Sequence, residues 1–181
     1  FEMNGQTEQS LVMFQRVIDC APDALPAYRR VLKLQRDKND HEGVVSTLRH
    51  WISAGAQGVS SDALHIRLAA CLRALGRDEE AVTALETILD RDGTLRFQAQ
   101  RALAVCYRRM GKWSELARLY SSMASAVSEP NHKAEFLLES GGVGPCAHPK
   151  KSQAQKYIYK CLDLQAANIG ALDRLAELAD D

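Results

Sequence analysis

The segment "SGGVGPCAHPKKS", residues 140–152, gathers the side chains best suited to chemistry. Cys146 and His148 have the types of a nucleophile and its base, or of two metal ligands. The glycines and the Lys150-Lys151-Ser152 run have the types that surround a phosphate. Each reading fails a physical requirement. A phosphate loop needs G-x-x-x-x-G-K-[ST] between a strand and a helix, so that backbone N–H groups ring the phosphates. Here Pro149 precedes Lys150, and proline removes a donor. Zinc takes three or four ligands, and no second pair lies at ligand spacing. A Cys–His nucleophile needs a positioned base and an oxyanion hole, which adjacent loop residues rarely supply. The segment reads instead as an enlarged loop after a shortened helix ended by Gly141-Gly142. Loops of this size still host added functions. No catalytic residue, cofactor site or metal site is assigned, and the chain is not expected to be an enzyme.

The bulk composition agrees. Among 181 residues, 23 basic side chains balance 23 acidic ones, which argues against a globally basic nucleic-acid binder. The five cysteines, Cys20, Cys71, Cys106, Cys146 and Cys161, are odd in number and form no C-x-x-C pair. A reducing compartment, and so a cytoplasmic location, fits better than a disulfide framework. The apolar runs are too short to span a membrane, and no signal peptide is present. The chain opens on Phe1 rather than Met, as expected of a piece whose native N-terminus lies upstream.

Five segments share one apolar frame: "SLVMFQRVI", "VVSTLRHWI", "AVTALETIL", "LARLYSSMA" and "AQKYIYKCL". They open on Ser10, Val44, Ala81, Leu116 and Ala154. Four residues on stand Phe14, Leu48, Leu85, Tyr120 and Ile158; three further on stand Val17, Trp51, Ile88, Met123 and Cys161. This spacing is one face of an α-helix, not a strand. A second helical pattern alternates with it, with core pairs at Val31-Leu32, Leu68-Ala69, Leu103-Ala104 and Leu175-Ala176. Asn39, Gly76 and Gly111 close it five residues before the next segment, and such residues tolerate the left-handed conformation that ends helices. Gly5 and Pro149 occupy the same offset. The intervals between these five positions are 34, 37, 35 and 38 residues. The pattern predicts an all-α chain of seven to nine helices of about 10–16 residues, paired as hairpins. Cys71, Cys106 and Cys161 are predicted to fill core positions and Cys146 to be the most reactive thiol. His65, Trp51 and Trp113 are predicted to pack rather than bind.

At "LAACLRALGRDEEAVTALETIL" and "CYRRMGKW", with Ala69, Ala81, Tyr107, Gly111 and Trp113, and at Pro22 of "CAPD", the chain resembles the tetratricopeptide repeat family. That family has a unit of about 34 residues, helix-turn-helix. The resemblance covers nearly the whole chain. It implies a right-handed superhelix of stacked hairpins with a concave groove lined by each first helix. The repeat units would fall at about 1–22 (half), 24–58, 62–93, 97–128, 131–166 (irregular) and 168–181 (half), as in a piece of a longer solenoid. Leu32, Asn39, Val44 and Leu116 replace smaller family residues, which would push helices apart. Helical solenoids of looser consensus are the alternative.

Arg36, Arg73 and Arg108 each lie three residues before their turn, Arg29 and Arg101 ten before, and Lys33 six before. The resemblance places these offsets on the groove, where guanidinium groups would bind carboxylates bidentately. The competing reading is an arginine that complements the helix dipole and stays solvated. Co-chaperone members of the family hold a terminal carboxylate with Lys and Asn; Ala70 and Val105 stand where that Asn is needed. The expected role is a scaffold that binds a partner segment, acidic in character. The alternatives are a regulatory or sensor arm of a larger enzyme or effector, and nucleic-acid binding through the basic groove, against which the scarcity of aromatics argues.

Overall fold

The computed structural model describes residues 2–55, 59–89, 93–141, 151–165 and 168–180. They form ten helices and, among the described residues, no strand: α1 (Glu2–Cys20), α2 (Leu25–Asp37), α3 (His41–Ser53), α4 (Ser61–Ala74), α5 (Asp78–Leu89), α6 (Arg96–Arg109), α7 (Trp113–Ala126), α8 (Pro130–Gly141), α9 (Lys151–Leu164) and α10 (Ile169–Asp180). The helix count exceeds the seven to nine expected. At 19 residues α1 is also longer than expected. It runs through Gly5, which therefore ends no helix. A lone glycine costs only about 1 kcal/mol in a helix, too little to stop one whose neighbours on both sides continue it. Pro149 lies outside the described residues.

The three turns read from the sequence share one geometry. Asn39, Gly76 and Gly111 have φ of 55°, 75° and 66°. The next residue in each case, Asp40, Arg77 or Lys112, donates its N–H to the carbonyl of Gln35, Leu72 or Tyr107 at 2.9 Å. That is the six-to-one bond that closes a helix C-terminus. The carbonyls of Asp40, Arg77 and Lys112 then accept from the N–H of Val44, Ala81 and Leu116 at 3.1 Å, opening the following helix. One short turn thus ends the first helix of a hairpin and begins the second. At the first turn Asp40 also caps α3, its carboxylate accepting from Gly43 N–H at 2.8 Å. A Cβ on Gly43 would meet that carboxylate and the Gln35 amide, so any larger residue there would force those side chains to shift.

Contacts divide the chain into two compact units, Phe1–Ala102 and Leu103–Asp181, with the boundary inside α6. In the first, α1 to α5 pack each on the next. Its core includes Ile18, Tyr28, Val31, Leu48, Trp51, Leu64, Leu72, Leu85 and Ile88. In the second, α7, α8, α9 and α10 pack in succession. Ala124, Ala134, Leu137, Ile158, Cys161 and Ala171 form one buried cluster there. The apolar frame marks these cores well. Val44, Ala81 and Leu116 are buried, and so are Trp51, Ile88, Met123 and Cys161. Trp51 lies parallel to the Tyr28 ring, centroids 4.9 Å apart, while the Tyr28 hydroxyl bonds His50 Nδ1 at 2.8 Å. His65 is half-buried and bonds the Ser61 carbonyl through Nδ1 at 2.8 Å. It also lines a cleft among α3, α4 and α5.

Ion pairs tie successive second helices together. Arg77 bonds Glu42 of α3 at 3.0 Å and Glu80 of α5 at 2.7 Å, and Arg49 of α3 also bonds Glu80. Hydrogen bonds from Arg77, then from Arg49, hold the Glu80 carboxyl below its ordinary range.

The cysteines divide differently from expectation. Cys106 and Cys161 are buried, Cys71 is only half-buried, and Cys20 is exposed at the end of α1. Cys71 departs because its helix position looks partly outward. Cys146 lies outside the described residues.

Two expectations follow. Ala81 is fully buried in α5. Ala81→Trp should destabilise the chain by about 1–3 kcal/mol through overpacking, seen as a lower denaturant midpoint; an unchanged midpoint would remove Ala81 from the close contact. A maleimide added to the native protein should label Cys20 rapidly and Cys106 and Cys161 only on the timescale of unfolding, because burial pushes the Cys161 thiol up and shields both sulfurs. Mass mapping of labelled peptides reads this directly.

Candidate interaction surface

The basic side chains singled out by spacing do not share one environment. Arg29, Lys33 and Arg36 are all exposed on α2. Their spacing of four and three residues places them on one helix face. Their ion pairs, among the described residues, are none; Arg36 Nε donates to the carbonyl of Leu32 in its own helix at 3.3 Å. Arg36 also lies near enough to α4 for its charge to act on Cys71, whose thiol burial raises and Arg36 partly lowers. Arg73 is half-buried in the last turn of α4. Arg101 is exposed on α6, where Phe97, Arg101 and Val105 lie four residues apart and are all exposed. Val105 and Phe97 make that stripe more apolar than the α2 face.

Arg108 belongs to the second unit, and there it is engaged. Its guanidinium bonds the Tyr120 hydroxyl of α7 at 3.2 Å and the Glu139 carboxylate of α8 at 3.4 Å. Sequence spacing placed Arg108 beside its turn, but its partner is 31 positions away. Arg36, Arg73 and Arg108 all stand in the last turn of their helices, where a cation also complements the dipole.

Two clefts were not read from the sequence. In the first unit a cleft of about 380 Å³ lies among α3, α4 and α5. Ile52, Leu68, Leu72 and Ala84 make it apolar, and Arg49 and Glu80 stand at its rim, already bonded to one another. Ala84 opens it, since Thr47 and Leu119 stand at the same offset of neighbouring second helices. In the second unit a cleft of about 370 Å³ is lined by Asn131, His132, Glu135, Leu138, Gln165 and Asn168. Its amides bond in series, Asn168 to Gln165 at 2.8 Å and Gln165 to Asn131 at 2.7 Å. Asn168 also caps α10, accepting from Ala171 N–H at 3.0 Å. That series links Asn168 and Gln165 to Asn131 of α8, and His132 of the same cleft pairs with Glu129 at 3.0 Å. Among the described residues no three His, Cys, Asp or Glu side chains gather to hold a metal ion. Cys146 and His148 lie outside those residues. No described helix is long and apolar enough to cross a membrane.

Family models described as tetratricopeptide repeat match residues 62–93 and 101–134. No curated protein matches the chain. Among solved structures, YrrB, described as a TPR protein with an unusual peptide-binding site, aligns with a TM-score of 0.56 at 16% identity, over 97% of this chain and 86% of that one. A putative kinesin light chain from Podosopora anserina with nearly identical TPR-like repeats aligns with a TM-score of 0.54 at 18% identity, over 93% and 92%. A structure of Naa15/Naa10 bound to HypK-THB aligns with a TM-score of 0.66 at 14% identity, over 99% of this chain but 29% of that one. At such identities the likeness speaks for the fold. Together with the repeat models on two hairpins and one turn geometry at three, it shows an all-α helical-repeat fold with tetratricopeptide repeats at residues 62–93 and 101–134.

Proposed function

We propose that the chain is a non-catalytic scaffold that binds an acidic segment of a partner protein along the exposed faces of its first helices. The observation that carries this is the α2 face. Arg29, Lys33 and Arg36 stand exposed on it at four- and three-residue spacing, without a carboxylate partner among the described residues. Three like charges held on one helix face repel, and an acidic segment relieves that repulsion through charge-assisted bonds. Half-buried Arg73 on α4 and exposed Arg101 on α6 are the cations that the following first helices would add. Arg108 belongs to the second unit, where it is bonded to Glu139, and is not part of this surface. The alignment to a peptide-binding repeat protein supports a peptide as the ligand class. The order of the helices supports an extended or helical segment rather than a small molecule, because the exposed cations follow helix axes and not a pocket.

A fluorescein-labelled poly-glutamate peptide tests the reading by anisotropy. Charge reversal of all three α2 cations (Arg29→Glu, Lys33→Glu, Arg36→Glu) should weaken binding at least about tenfold, and added salt should weaken binding to the parent protein. The melting temperature should hardly move, because exposed charges contribute little to folding. Equal binding by the reversed protein would overturn the α2 assignment. Tighter binding of a mixed-sequence RNA than of the peptide would favour a nucleic-acid partner.

The Cys71 thiol reports independently on Arg36. Arg36→Ala removes the charge that lowers its pKa, so burial alone remains and pushes the thiol higher. Labelling of Cys71 at mildly alkaline pH should slow, and its pH midpoint should rise. A midpoint that stays put would separate Arg36 from the α4 surface.

A further inference from the structure

The cleft among α3, α4 and α5 shares no residue with the α2 surface, and its chemistry suits a different ligand. Its floor is apolar. Leu68, Leu72 and Ala84 are buried there, and Ile52 is half-buried. Along α5 the lining runs from Glu80 to Thr87, two turns of helix and so about 10 Å. Its volume of about 380 Å³ lies within the range of cavities that hold small molecules.

The polar groups of this lining are spent locally, with one exception. The hydroxyls of Ser53, Thr83 and Thr87 donate to the carbonyls of His50, Glu79 and Ala84 at 2.8, 3.1 and 2.8 Å. His65 bonds the Ser61 carbonyl through Nδ1, so in the neutral ring its Nε2 is an acceptor and not a donor. Glu80 holds Arg77 through both carboxylate oxygens, at 2.5 and 2.7 Å. Arg49 keeps donors in hand. Its Nη2 bonds Glu80, and its Nε and Nη1 meet no partner among the described residues. Arg49 can also release Glu80 without leaving that carboxylate unpaired, because the two bonds from Arg77 remain.

We propose that this cleft binds a monocarboxylate with an unbranched apolar tail, its carboxylate on Arg49 and its tail along Leu72, Ala84 and Leu68. The planar guanidinium matches a carboxylate bidentately. An unbranched tail follows the length of the trough and covers its apolar floor. A peptide segment fits less well, because its backbone N–H and C=O groups would lie over a floor that offers them no partner. A ligand with one anionic end and an apolar remainder leaves no such group unpaired.

Isothermal titration of the full chain with octanoate, nonanoate and decanoate, each below its micelle concentration, tests this. Affinity should rise about two- to fourfold per added methylene. Arg49→Gln should weaken decanoate at least about tenfold and leave decanol unchanged, since the alcohol has no charge for Arg49 to hold. Thr87 is exposed, so Thr87→Trp narrows the cleft from its wall without entering the core. It should weaken decanoate and decanol alike, with helicity by circular dichroism as in the parent. A parent protein that binds no decanoate would overturn the proposal. So would equal decanoate binding by the parent, Arg49→Gln and Thr87→Trp, which would mark adsorption elsewhere on the surface. Tighter binding of acetyl-trileucine than of decanoate would overturn it too, and would give the cleft to the carboxyl end of a partner chain.

Discussion

Each hairpin rests on one contact. The second helix presents an apolar side chain at the seventh position of its frame, and neighbouring helices must cover it. Trp51, Ile88, Met123 and Cys161 all meet this condition and are at most 2% exposed. A helix of 12 to 14 residues gains little from propensity alone, so its stability comes from this covered face. The left-handed turns serve the same end. They bring the second helix back within reach while satisfying the carbonyls at the end of the first. Side chains at the contact differ widely, from an indole to a thiol, because the facing residue adjusts. Tyr28 stacks flat on Trp51, whereas Ala134, Leu137 and Ala171 surround Cys161 in one buried cluster.

This constraint explains why much of the fold was legible in the sequence. Asn39, Gly76 and Gly111 are punctuation that a chain can hardly hide, because few residues accept positive φ. The apolar frame is equally plain, since burial admits few residue types. Gly5 misled because position within a repeat does not determine conformation; its neighbours are helical on both sides. The Asp40–Gly43 cap was missed although both residues were in view. The spacing of three residues marks such a cap, but it does not say that the Gln35 amide closes in on the same glycine.

The candidate surface was legible only in part. Spacing put Arg36, Arg73 and Arg108 at one offset, and each does stand in a last turn. Spacing could not say what each guanidinium touches. Arg108 finds Glu139 and Tyr120, and Arg36 finds its own helix carbonyl. Such partners lie on other elements or depend on rotamer, and no local pattern encodes them. The clefts were invisible for a related reason. A small residue such as Ala84 reads as ordinary packing until its neighbours are placed around it.

A net charge of zero is compatible with a basic docking face because charges act locally. Screening confines an exposed charge to about 8–10 Å at ordinary salt, so the balance that matters is the one within that radius. The acidic side chains of this chain are not spread evenly against the basic ones. Glu42 and Glu80 are spent on Arg77 and Arg49 along the second helices, where they hold neighbouring hairpins together. Glu8 is spent on Lys38 at 3.2 Å. The α2 cations Arg29, Lys33 and Arg36 sit outside these pairs. These pairs spare Arg29, Lys33 and Arg36, so the α2 face can carry positive charge without any excess in the whole chain. The ion pairs of α3 and α5 join neighbouring hairpins, and the α2 cations stand outside them.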